Sequence, residues 1–352
     1  MPADRGIATK SLSFQDEAPH WGSIEIQEVE SVLELRALSK HYPSHRAVNG
    51  ISFALQRGEF FSLVGPSGCG KTTTLRLIGG FEEPTSGEIL LAGQSLAGTM
   101  PYQRDVSTVF QNYALFPHLT VEQNVAFGLE RKRRFGKRDI REKVENALAL
   151  VQLSGKGRRK PNEISGGEKQ RTALARSLVV EPKVLLLDEP LSALDPKLRK
   201  EMRSELKSLQ RRVGIAFLFI THDQEEALSL SDRMAVMNRG VLEQVGTPRE
   251  LYQRPASRFV AEFLGGLNWL NGAGVRPEAV RLSRERPGDG SRCLSGVVES
   301  SIFLGNCLHV QTRLEDGAAC VAELPQNGCQ FEPGEAVHVF WRVEDELPVS
   351  GH

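Results

Sequence analysis

Residues 65–72 read GPSGCGKT, a glycine-framed loop closed by a lysine and a threonine. Such a loop turns its backbone N–H groups inward at phosphate oxygens, while Lys71 reaches the terminal phosphates and the Thr72 hydroxyl binds Mg²⁺. Glycine at 68 and 70 is expected because a side chain there would crowd a nucleotide and because the backbone needs unusual φ values. The flanks agree: Gly58 to Val64 (GEFFSLV) predicts a buried strand, and Thr72 to Ile78 (TTTLRLI) predicts a helix start. Strand, loop and helix N-terminus together make an anion site. The candidate nucleotide contacts are therefore Gly65, Pro66, Ser67, Gly68, Cys69, Gly70, Lys71, Thr72 and Thr73, for ATP with Mg²⁺.

A second stretch narrows the chemistry. Val184 to Glu189 read VLLLDE, an apolar run ending in two acids. That is the pattern of a buried parallel strand with its charge at the carboxyl end, where open α/β sheets bind ligands. Asp188 is placed to hold Mg²⁺ through water, as in a Walker B motif, and Glu189 to polarise the attacking water. A third element, Ser165-Gly166-Gly167-Glu168, opens the helical run Thr172 to Val180 and exposes N–H groups suited to a γ-phosphate.

In this order the three motifs resemble the set found in ABC-transporter ATPases, with 165–168 as the family's signature. The family's usual Gln is Glu168 here and its usual Leu is Ile164, and the acid is expected to disfavour a nearby phosphate slightly. The resemblance implies further site residues. Tyr42 matches the aromatic that stacks on adenine, and Gln111 the Q-loop glutamine that senses Mg²⁺ and the transmembrane partner. Ser192 to Asp195 match the D-loop, and His222 the switch histidine that contacts the γ-phosphate. Catalysis would then rest on Glu189, His222 and Lys71, with Thr72, Gln111 and Asp188 around the metal.

Composition sets limits. At 352 residues the chain is long for one core and predicts two or three domains. Basic and acidic residues balance at 44 each, without the electrostatic footprint of a nucleic-acid binder. No stretch approaches the ~18 apolar residues that cross a bilayer, and the first residues lack a secretory pattern, so the expected place is the cytoplasm. The five cysteines have no C-x-x-C spacing. Cys69 lies in the loop, while Cys293, Cys307, Cys320 and Cys329 sit at irregular gaps that fit small buried strand residues better than a metal site.

Along the chain, residues 1–31 are polar and aperiodic and predict a disordered extension. The ATPase unit is expected over 32–265, with a helical subdomain at about 112–180 carrying helices at Val121 to Glu130 and Asp139 to Val151. The basic run Arg131-Lys132-Arg133-Arg134 between them reads as a solvated loop. A long amphipathic helix (Pro196 to Arg212), strands at Ala216 to Ile220, Met234 to Met237 and Gly240 to Val245, and a helix beginning at Thr247-Pro248 complete the core. From 266 to 352, short alternating runs parted by Gly, Pro and Asp predict a small OB-like β-barrel. The fold class is thus an α/β P-loop NTPase, an ABC ATPase core with a helical subdomain, followed by a small all-β barrel.

The resemblance sharpens on three stretches: RDVSTVFQNYALFPHLTVEQNVAFGL at 104–129, LSALDPKLRKEMRSELKSLQRRVGI at 191–215 and THDQEEALSLSDRMAVMNRGVLEQVGTP at 221–248. These look like the ATP-binding subunits of bacterial importers, with a TOBE-type accessory barrel, and are closest to the spermidine/putrescine (polyamine) import ATPases. Ferric-iron, sulfate and sugar import ATPases share much of this text. The resemblance implies a homodimer placed head to tail, with two ATPs sandwiched between Lys71 of one copy and Ser165 of the other. It also implies two membrane permeases, an extracytoplasmic solute-binding protein, and a peripheral place on the cytoplasmic face of the inner membrane. A soluble ABC ATPase of DNA repair or translation typically carries two cassettes or a long coiled coil, and neither is read here. A barrel that senses a regulator stays open.

Overall fold

The computed structural model describes residues 31–132, 134–288, 290–326 and 330–350. The expectations for residues 1–30, Arg133 and Cys329 lie outside them, while Ser31, expected to end the disordered extension, instead opens the strand Ser31–Tyr42. A six-stranded sheet forms the centre, in the order Val241–Gly246, Arg233–Asn238, Phe60–Val64, Ala216–Thr221, Val184–Asp188, Val106–Val109. The last five run parallel, and Val241–Gly246 is an antiparallel edge.

The inner strands are apolar throughout because both faces are covered, and alternate side chains enter different cores. Phe60, Leu185, Leu187, Phe217 and Phe219 pack with the helices Val121–Lys132, Lys137–Leu150 and Gly166–Leu178. Phe61, Leu63, Val184, Leu186, Leu218 and Ile220 pack on the other side, with Leu75, Leu77 and Ile78 of the helix Lys71–Gly79. An antiparallel sheet (His45–Gln56, Ser31–Tyr42, Ser86–Leu91, Gln94–Ser95) closes that second core.

The parallel register decides where the site lies. Val64 pairs with Thr221, Asp188 with Ile220, and Val109 with Leu187. The chain therefore leaves the sheet at Gly65, Glu189, His222 and Gln111 along one edge, the carboxyl edge.

The C-terminal strands form a five-stranded antiparallel sheet, in the order Arg281–Ser283, Ala336–Trp341, Arg292–Phe303, Cys307–Leu314, Ala319–Pro325. The long strand Arg292–Phe303 carries a bulge between Val298 and Ser300. Its first half pairs with Ala336–Trp341, and its second half continues with Cys307–Leu314 after that partner has ended. A bulged strand that changes partners turns the corner of a small barrel. The amide of Asn268 does the work of a further strand, donating to the Val321 carbonyl and accepting from the Val321 N–H, both at 2.8 Å.

Two features depart from the expected pattern. A short helix, Arg258–Phe263, precedes the barrel. A separate three-stranded sheet joins Asn268–Leu270 and Ala273–Val275 to Glu346–Ser350, so the last strand returns beside the segment that enters the barrel. Arg276, 4% exposed, fastens this joint by donating to the carbonyls of Ala261, Gly266 and Tyr252 while stacking on the Tyr252 ring.

Arg104 holds the far end of the loop helix. Its guanidinium donates to the carbonyls of Leu77 and Ile78 in the last turn, and to Leu96 and Thr99. Last-turn carbonyls have no partner within the helix, and a cation there also meets the negative end of the helix dipole. Arg104→Ala is expected to lower stability by roughly 2–3 kcal/mol. Urea unfolding checks this, and an unchanged midpoint would remove Arg104 from the account.

Candidate nucleotide site

The strand Phe60–Val64 is wholly buried and delivers the loop at Gly65. Gly68 has φ +78 and open space where a Cβ would stand, so backbone conformation alone selects glycine there. At Gly70 (φ +112) a Cβ would fall 2.2 Å from the Ala47 carbonyl oxygen and 2.6 Å from the Met237 side chain. The crowding expected from a nucleotide thus comes first from the chain's own strand His45–Gln56. Lys71 is 5% exposed, and its Nζ donates to the carbonyls of Gly65 (2.8 Å) and Pro66 (2.9 Å). The helix Lys71–Gly79 has no side-chain cap and no acid in its first turn, which leaves the leading N–H groups to an anion.

Four carboxyl-edge segments meet around Glu189. The Thr72 hydroxyl donates to Asp188 Oδ1 at 3.3 Å. Glu189 Oε2 lies 3.1 Å from His222 Nδ1 and 3.4 Å from Gln111 Nε2. Gln111 Nε2 also donates to Ser192 Oγ at 3.2 Å, and Ser192 Oγ donates to the Glu189 carbonyl at 2.8 Å. Glu189 itself takes φ +45, a left-handed conformation costly for a side-chain-bearing residue. Burial pushes the Asp188 carboxyl up, the Thr72 hydroxyl opposes this, and the Glu189 charge adds to it. A hydroxyl and a carboxylate with two further polar side chains beside them form an oxygen-donor set that suits a hard divalent cation, so the residues fit Mg²⁺. His222 is 56% exposed on its side chain, open to a ligand.

Sequence reasoning passed over several supporting residues. Ser192, which the resemblance places in the D-loop, sits three residues after Glu189 in the same tight turn, and its hydroxyl donates to the Glu189 carbonyl. Glu226, 3% exposed, accepts from the Thr221 hydroxyl at 2.6 Å and so braces the strand end before His222. Burial pushes its carboxyl up. Arg176, on the helix Gly166–Leu178, donates to the carbonyls of Ala114 (2.7 Å) and Tyr113 (2.8 Å), both at positive φ, and lies over the Phe116 ring. It joins the segment after Gln111 to the helix that Ser165 caps. No local signal marks Arg176, because its partners lie some sixty residues upstream.

The 165–168 motif is a capping box. Ser165 Oγ accepts from the Glu168 N–H, and Glu168 accepts from the Ser165 N–H at 2.7 Å. The second oxygen of Glu168 is held by Lys156. These contacts, Lys156 first, hold the Glu168 carboxyl down at about 2. The acid that the resemblance marked as unfavourable to phosphate is therefore matched by its own lysine. The hydrogen bonds of Ser165 stay within this helix, and a Cβ at Gly166 or Gly167 would meet Leu194 and Leu198 rather than the loop at 65–72. Asp195 caps the helix Pro196–Val213, accepting from the Leu198 N–H at 3.0 Å. Tyr42 ends the strand Ser31–Tyr42 and stacks on His45 at 5.2 Å, in the hairpin whose return strand carries Ala47 against Gly70.

A glycine loop on a parallel sheet, two acids at the carboxyl end of the next strand but one, and a capped signature helix define an ABC-type nucleotide-binding protein. Comparison with known proteins agrees: residues 48–192 match the ABC transporter family, and residues 273–347 the TOBE domain. The spermidine/putrescine import ATP-binding protein PotA of Rubrobacter xylanophilus is 48% identical, covering 91% of this chain and 94% of that one. The protein of the same name from Acidothermus cellulolyticus is 46% identical over 89% and 92%. Among solved structures, a dimeric ATP-binding cassette in a post-hydrolysis state bound to ADP and Pi aligns at TM-score 0.55 and 30% identity, covering 62% of this chain and 99% of that one. The cbiO1 protein of Clostridium perfringens, part of the ABC transporter complex cbiONQ, aligns at 0.59 and 31%, covering 63% and 90%. The chain belongs to the PotA family of ABC-transporter ATP-binding proteins.

Proposed function

We propose that this chain is the ATP-hydrolysing subunit of a polyamine importer, working as a head-to-tail homodimer beneath two membrane permeases. The observation that carries the ATPase reading is the meeting of Thr72, Asp188, Glu189, Gln111 and His222 at one sheet edge, within 3.1–3.4 Å of their partners. The cargo reading rests on the likeness to the spermidine/putrescine proteins over about nine-tenths of the chain. Among the described residues no helix is long and apolar enough to cross a membrane. Passage of solute then falls to separate permeases at the inner membrane, supplied by an extracytoplasmic solute-binding protein. We divide the chain into an ATPase unit over 32–265 and an accessory barrel over 266–352.

In the mechanism, the loop N–H groups and Lys71 hold the β- and γ-phosphates, and the hairpin bearing Tyr42 offers a ring to the adenine. Thr72 and Asp188, with Gln111 beside them, would hold Mg²⁺, which would supply charge neutralisation of the phosphates. Glu189 takes the proton of the attacking water, and His222, 3.1 Å away, orients that carboxylate and reaches the γ-phosphate. Ser165 and the N–H groups of Gly166 and Gly167 cap the phosphate of the opposite copy. The γ-phosphate is thereby shared between copies, and its loss on hydrolysis removes the contact that favours the closed dimer. Arg176 links the Gln111 segment to the signature helix, so closure is passed toward the permeases.

The test is uptake of labelled spermidine and putrescine by cells with and without the gene. Uptake is expected to fall to background in the deletion and to return with the wild-type gene, but not with a Glu189→Gln copy. Equal uptake in both strains, with ferric iron or sulfate uptake lost instead, would move the cargo assignment to those solutes.

A further inference from the structure

We propose that Cys307, His309 and Glu323 form a binding site for a zinc-type divalent cation on the C-terminal barrel. Cys307 and His309 stand two residues apart on the strand Cys307–Leu314, so their side chains leave the same face of the sheet. The neighbouring strand Ala319–Pro325 runs antiparallel and sets Glu323 directly opposite His309. The Cys307 sulfur, a His309 ring nitrogen and a Glu323 carboxylate oxygen all lie within 4.8 Å of one another. His309 Nε2 and Glu323 Oε2 are 3.4 Å apart.

Those separations suit chelation. Zinc bonds of about 2.1 Å in a tetrahedron place two ligand atoms about 3.4 Å apart, and a sulfur edge is slightly longer. The imidazole and carboxylate already stand at that spacing, and the sulfur has at most about 1 Å to travel, within the reach of a side-chain adjustment. The donor types choose the ion: thiolate with imidazole and carboxylate suits zinc, whereas Mg²⁺ and Ca²⁺ take oxygen alone. Three protein ligands leave a fourth position for water. The site is also reachable, since the His309 and Glu323 side chains are 39% and 38% exposed beside Cys307, which is itself 8% exposed. Irregular sequence gaps hid the trio, because strand register and not chain spacing brings Glu323 to the other two. Cys320, 1% exposed and packed in the barrel core, does follow the expectation of a small buried strand residue.

The full chain without nucleotide is titrated with Co²⁺ alone, and the bound ion is then displaced with Zn²⁺. A single bound ion is expected, with the strong visible absorption of a tetrahedral centre and a near-ultraviolet thiolate-to-cobalt band. Cys307→Ser is expected to abolish that band and Cys320→Ser to leave it. His309→Ala and Glu323→Gln should each weaken Zn²⁺ by about tenfold or more in competition with a chromophoric chelator. Zn²⁺ should raise the thermal midpoint of the wild type and not of Cys307→Ser, with circular dichroism showing both folded. A weak octahedral spectrum without the thiolate band, a band that survives Cys307→Ser, or unchanged affinity in both other variants would each overturn the site and leave an ordinary His–Glu pair beside a thiol.

Discussion

Glu189→Gln is expected to cut ATP turnover by roughly 10²-fold or more while ATP binding persists. The amide keeps the volume and the hydrogen-bonding reach of the carboxylate, so the contacts at 3.1 Å to His222 and 3.4 Å to Gln111 have a replacement. What it lacks is the basic oxygen that takes a proton from water. Steady-state phosphate release measures the loss, and a fluorescent nucleotide measures the retained binding. If the γ-phosphate is shared between copies as proposed, it then persists, and the same variant should double its mass in light scattering when saturated with ATP and stay largely monomeric without it. Undiminished hydrolysis would take Glu189 out of the mechanism. A variant that stays monomeric at saturating ATP, with and without membrane partners, would contradict the shared-phosphate dimer.

Lys71→Ala is expected to lower turnover by about 10²–10³-fold and to weaken ATP binding as well, because a fixed positive donor in a water-poor cradle is lost. The lysine is also part of the loop's own architecture, since its Nζ ties down the carbonyls of Gly65 and Pro66. Lys71→Arg should therefore fail nearly as badly: a planar guanidinium does not fit a slot where the native side chain is 5% exposed. Thermal unfolding without nucleotide separates the two contributions. A large drop in midpoint would assign the loss to loop collapse, and an unchanged midpoint to the missing phosphate contact. Full activity in Lys71→Arg would show that charge alone matters at this position.

Much of the site could be read from the chain because its parts are contiguous and their physics is local. Positive φ at Gly68, the capping box of Ser165 and Glu168, and the apolar run before Asp188 each depend on a handful of neighbouring residues. The short pieces near the domain joint escaped for the same reason in reverse. Asn268–Leu270 and Ala273–Val275 are three residues each, too few to display a period of two, and Arg258–Phe263 is under two turns of helix. The partner of Glu168 is not legible in the sequence, because Lys156 lies twelve residues upstream, in a loop that only folding brings to the helix.

The sequence by itself determined the kind of loop, the placing of carboxylates at a strand end, the alternation that sends Leu185 and Leu186 to opposite cores, and the family. Only the tertiary structure decided which side chains touch. The parallel register of Val64 with Thr221 and of Asp188 with Ile220 brings His222 to Glu189. The hairpin return at Ala47 makes glycine obligatory at 70, and the antiparallel register of His309 with Glu323 gathers a thiol, an imidazole and a carboxylate from distant positions. The physical reason is common to all three. Backbone conformation and capping depend on neighbours in the chain, whereas strand order and register follow from packing every apolar face at once, which no short stretch of sequence encodes.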